Sequence, residues 1–140
     1  MSEVRIRDLV LTDEHDTVEL GDSLVDAAKK LLGLPRGILV ALDSGKVKGV
    51  LTSIQILSAV ADGVDLKAEN CGGHMDTDVM EVGQDDLVSE IVATMNERRP
   101  HAVVATDEDG QFSGYFSPND YRQAMGLKPI KAPLEIKPQQ

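Results

Sequence analysis

The chain has 140 residues, a formal net charge of −10, 41% apolar residues and only 3% aromatics. So acidic a chain lacks the Lys and Arg that displace counterions from a phosphate backbone, which argues against nucleic acid and against an anionic membrane surface as partners. The length fits one compact domain, or two half-domains that share a core.

Residues 1–20 alternate charges with short apolar runs, so neither a signal peptide nor a membrane span is read there. Val4 to Leu11 reads as a lead-in, either extended or one helical turn. Thr17 to Leu20 predicts a short strand, and Asp22 or Ser23 caps the helix that follows. Leu24, Ala27, Ala28, Leu31 and Leu32 form its apolar stripe, and Gly33 and Pro35 end it. Gly37 to Leu42 is an apolar run of the kind found in strands buried on both faces. Asp43-Ser44-Gly45-Lys46 turns it into the partner strand Val47 to Leu51. A second helix follows Thr52 and ends near Gly63. Residues 63–76 connect to a strand over Val79 to Val82 and a helix after Asp85 with the stripe Val88, Ile91, Val92 and Met95. The hairpin Ala102 to Thr106 and Phe112 to Phe116 comes next, then a helix from Pro118 to about Met125. Cys71 has no partner for a disulfide or a metal, and a cytoplasmic chain is the expectation.

The second half thus restates the first. Val40 to Gln55 returns as Val104 to Asp120 with one more residue in the turn, and Gly49 returns as Gly114. Each copy reads strand, helix, strand, strand, helix. A unit of roughly 60 residues is marginal alone, so the two are expected to fold together with pseudo-twofold symmetry.

The chemistry concentrates where each hairpin enters its helix. In the second copy, Ser117 stands at an N-cap, Pro118 at the first helical position and Asp120 in the first turn. A helix start offers unpaired N–H groups and positive dipole to a phosphate. The Ser117 hydroxyl adds a donor, the Asp120 carboxylate can accept from two vicinal ribose hydroxyls, and Gly114 permits close approach of backbone or ligand. The other reading is a capping box, in which Ser-x-x-Asp, or Thr52 with Gln55 in the first copy, serves only the helix. The cationic run Arg98, Arg99 and His101 likewise reads either as a phosphate contact or as favourable charge at a helix C-terminus.

Taken together, both copies with this junction resemble a tandem pair of CBS domains, the module named after cystathionine β-synthase, from about Val4 to Met125. The resemblance implies an α/β (α+β) fold of two β-α-β-β-α units packed sheet to sheet: residues 1–65 as the first, 66–126 as connector and second, 127–140 as a flexible tail. It implies two clefts for an adenosyl nucleotide of the AMP, ATP, NAD or S-adenosylmethionine class. Ser117 would face the phosphates and Asp120 the ribose, with Thr52 the phosphate residue of the first cleft. Gln55 stands there in place of the ribose carboxylate. Arg99 and His101 would reach phosphate, and Thr77, Val79 and Met80 would line the adenine pocket. No covalent cofactor, metal or catalytic residue is expected, since no nucleophile–base pair or metal spacing is present. The expected function is a stand-alone regulatory module that signals through the packing of its halves. The alternative is a ligand-free dimerisation or docking module for a partner enzyme or transporter. A homodimer is expected in either case, from apolar residues outside the core stripes: Leu57, Val60, Ala61, Tyr121, Ala124 and Met125.

Overall fold

Runs of Val, Ile and Leu bounded by Asp and Gly turns become hairpins, and each hairpin takes one preceding strand in parallel. The computed structural model describes residues 4–9, 11, 15–34 and 37–116. The described elements are β1 (His15–Glu19), α1 (Leu24–Leu32), β2 (Ile38–Asp43), β3 (Lys46–Leu51) and α2 (Ser53–Ala61) in the first unit. The second has β4 (Val79–Gly83), α3 (Val88–Arg98), β5 (Ala102–Thr106) and β6 (Phe112–Tyr115). The helix expected from Pro118 and the tail lie outside the described residues.

Each unit has its own three-stranded sheet, ordered β1-β2-β3 and β4-β5-β6. β1 runs parallel to β2 and β4 to β5, while both hairpins are antiparallel. The register shifts at the same place in each hairpin, between Ala41 and Leu42 and between Ala105 and Thr106. The repeat therefore extends to its irregularities. Alternation along the strands divides the core into three. Leu39 and Ala41 face Leu24 and Ala27 of α1. Val103 and Ala105 face Val88, Ile91 and Val92 of α3. Ile38, Val40, Val47 and Val50 meet Ala102 and Val104 between the two sheets.

Local caps hold the helices. The Ser23 hydroxyl accepts from the Asp26 N–H at 3.0 Å, which makes Ser23 the cap of α1. Asp22 instead closes the preceding turn by accepting from the Glu19 N–H, and Asp86 does the same for Gly83. The stripe of α1 is shorter than expected: Leu32 is 83% exposed. It lies about 80° round the helix from Leu24 at 100° per residue, off the buried face. Leu34, beyond the Gly33 cap, packs into the core instead.

The lead-ins are exchanged. Residues 4–9 precede the first unit but pack on the second, where Ile6 donates to the Asp86 carbonyl (3.1 Å), Arg7 to Gln84 (3.0 Å) and Val88 to Val4 (2.8 Å). The connector does the same on the first unit. There Cys71 donates to Asp22 (2.8 Å), Gly72 to Leu20 (2.9 Å) and Leu24 to Glu69 (3.0 Å). Each lead-in forms a short 3-10 turn, Ile6–Asp8 and Cys71–Gly73, and drops one side chain into the other unit's core. Ile6 fills the second core and Cys71 the first. Burial pushes the Cys71 thiol up to about 11, with the charges of Asp22 and Asp26 adding to it.

Candidate functional site

The exchange also brings the two units together near the end of each hairpin, at β3 and at β6. At the first, β3 ends and α2 begins. Val50 exchanges both backbone hydrogen bonds with Asp76 of the connector, at 2.9 and 2.8 Å. Two residues on, Thr52 caps α2. Its hydroxyl lies 3.0 Å from Gln55 Oε1, to which it donates, and accepts from the Ile54 N–H at 3.2 Å. Gln55 Oε1 also accepts the Thr52 N–H at 2.8 Å. The capping box that the sequence offers as one alternative is therefore formed here.

The connector enters β4 beside this junction. Thr77 is exposed and Val79 sits half-buried at the rim of the inter-sheet core. Met80 faces the other way, into the second unit's core with Val82, Val92 and Val103, because successive strand residues point to opposite faces. Of the strand residues expected around adenine, Val79 faces the inter-sheet side and Met80 does not.

The cationic run meets two carboxylates that sequence reasoning passed over. His101 Nδ1 lies 2.6 Å from Asp76 Oδ2, and its Nε2 lies 3.6 Å from Asp78 Oδ2. Arg98 reaches Asp78 Oδ1 at 3.5 Å and donates to the Val79 carbonyl at 3.4 Å. Asp76 Oδ1 accepts the Asp78 N–H at 2.9 Å, and His101 N–H donates to the Asp78 carbonyl at 3.0 Å. Arg99 ends α3 in left-handed backbone with φ 54°, exposed and without an ion pair among the described residues. The signal for this cluster was the Asp-x-Asp spacing just ahead of β4. It becomes meaningful only once β4 is known to lie beside β5.

Gly114 belongs to the other junction. A Cβ there would meet Leu11 Cδ1 at 2.9 Å, so the close approach is made by the lead-in of the first unit. Gly49 has the equivalent place at the first junction, against Met75 and the Asp76 carbonyl. His15, opening β1, lies edge-on to Phe112 at 5.6 Å and tilted to Tyr115 at 6.4 Å. Ser117 and Asp120 continue the chain from β6 and lie outside the described residues. The candidate residues thus divide. Thr52, Thr77 and Val79, with His101 through Asp76, gather at the end of β3, while Gly114 lies near the end of β6, on the strand that leads to Ser117 and Asp120.

A shallow cavity of about 440 Å³ lies elsewhere, bordered by Arg7, Asp85, Asp86, Asp107, Glu108 and Asp109. Most of its carboxylates already serve the backbone or an ion pair. Asp86 takes the Gly83 N–H, Asp107 takes those of Asp109 and Gln111, and Asp85 pairs with Arg7. Among the described residues no group of three or more His, Cys, Asp or Glu is placed to hold a metal ion. No described helix is long and apolar enough to cross a membrane.

Comparison with known proteins agrees with the two-unit fold. The family model described as CBS domain matches twice, over residues 2–62 and 71–126. Similar solved structures include an uncharacterized conserved protein from Pyrococcus horikoshii (20% identity, 94% of this chain and 99% of that one, TM-score 0.70). The CBS domain pair of protein MJ0100, solved with methylthioadenosine and S-adenosyl-L-methionine, is 22% identical over 88% of this chain and 96% of that one, with TM-score 0.69. The cytosolic domain of the Mg²⁺ channel MgtE, solved with ATP, is 20% identical over 87% of this chain and 49% of that one, with TM-score 0.69. At these identities the likeness shows the fold. No curated protein matches.

Proposed function

The chain belongs to the CBS domain family, and on that premise we propose that it is a regulatory module that binds an adenosyl nucleotide between its two units. The observation that carries the reading is the construction of each junction from both units. The helix start at Thr52 comes from the first, and Asp76–Val79 from the connector and the second. A ligand there touches both, and unequal affinity for two arrangements of the units converts binding into a change of packing. That MJ0100 and the MgtE domain were solved with adenosyl ligands supports the class. In this reading Ser117 meets the phosphates and Asp120 the ribose of the second cleft, which is the tighter one because Gln55 offers the first only a neutral amide. No catalytic step is part of it.

Thermal melts with millimolar AMP, ATP, NAD and S-adenosylmethionine test the class. A ligand at 100 times its Kd stabilises the native state by about 2.7 kcal/mol. Asp120→Ala removes charge-assisted bonds of roughly 1.5–3 kcal/mol each, so affinity falls at least about tenfold. A melt unmoved by every ligand refutes the reading.

One observation favours a second role, in dimerisation or docking to a partner enzyme or transporter. α2 presents Ile54, Leu57 and Val60 at 65%, 62% and 55% exposure along one side. An apolar strip of this kind marks an interface, and on this ground a homodimer is part of the proposal.

A further inference from the structure

We draw no further inference here: the strongest candidate, the shallow acidic cavity bordered by Arg7, Asp85, Asp86, Asp107, Glu108 and Asp109, is a cluster of carboxylates of which Asp85, Asp86 and Asp107 already serve Arg7 or the backbone, and nothing else in the structure points to what would occupy it.

Discussion

Gly49 and Gly114 occupy equivalent places in the two units, yet replacing each by Ala should have unequal consequences. At Gly49 the new Cβ stands 2.8 Å from the Asp76 carbonyl oxygen and 2.8 Å from the Cγ and Sδ of Met75. The Met75 side chain can move. The carbonyl cannot, because it is the acceptor for the Val50 N–H at 2.9 Å, and Asp76 donates back at 2.8 Å. Overpacking costs about 1–3 kcal/mol, weakening the two bonds adds up to about 1 kcal/mol apiece, and losing a glycine from the unfolded chain returns about 0.4–1 kcal/mol, so Gly49→Ala should lose about 1–4 kcal/mol. At Gly114 the nearest atoms belong to Leu11 alone, with Cδ1 at 2.9 Å and Cβ at 3.4 Å. A half-buried leucine can turn aside, and losing a glycine from the unfolded chain returns about 0.4–1 kcal/mol, so Gly114→Ala should cost ~1 kcal/mol or less. Companion substitutions sharpen the contrast. Leu11→Ala with Gly114→Ala should be no less stable than Leu11→Ala alone. Met75→Ala with Gly49→Ala should keep most of the loss, since the carbonyl remains. Urea unfolding followed by circular dichroism, with m-values compared, reads all of these. The reasoning is refuted by Gly49→Ala within about 0.5 kcal/mol of wild type, or by its full rescue with Met75→Ala.

Two further expectations follow from burial. Cys71 is fully buried with its thiol raised from 9.0 to about 11, so the folded chain should resist a thiol reagent at pH 8 and react at once in denaturant. Because the unfolded thiol ionises first, its contribution to stability is intact below about pH 9 and is lost as pH rises toward 11. Rapid labelling of the native protein, or Cys71→Ser removing no alkaline sensitivity, contradicts this. Leu57→Glu, in the exposed strip of α2, should shift the mass measured by light scattering at micromolar protein from dimer to monomer with little change in the melt. A wild-type chain already monomeric there contradicts the dimer.

Much of the fold was legible because its signals are local. The Ser44-Gly45 turn, with φ of 53° and 84°, needs its small residues, and the Val- and Ile-rich runs beside it pair as read. The stripe of α3 also packs as its spacing implies, with Val88, Ile91 and Val92 buried. The exchange of lead-ins was not legible. Apolar residues at Val4, Ile6, Leu9 and Leu11 announce a buried edge without saying against which unit. For the same reason the sequence does not say that His101 and Thr77 stand beside the start of α2 through Asp76. His101 pairs with Asp76 across 25 positions, and neither residue signals the other. Leu32 misled because periodicity alone cannot tell where the neighbouring element stops covering a helix.

The traded lead-ins make each half an unfinished object. A ribosome that has released only residues up to Gly63 has made the first sheet without the Cys71 that seals its core, so that half waits for the connector. The second half, synthesised later, finds its missing piece already waiting some 80 residues back, where Arg5 joins Asp85. Closure over such a distance costs only slightly more entropy than over a short loop, but it delays folding because distant contacts must be made before they stabilise anything. The two halves should therefore fold and melt as one cooperative body. In a crowded refolding mixture, a lead-in from one chain can complete the core of another, giving interlocked pairs that arise during folding rather than by docking of finished chains.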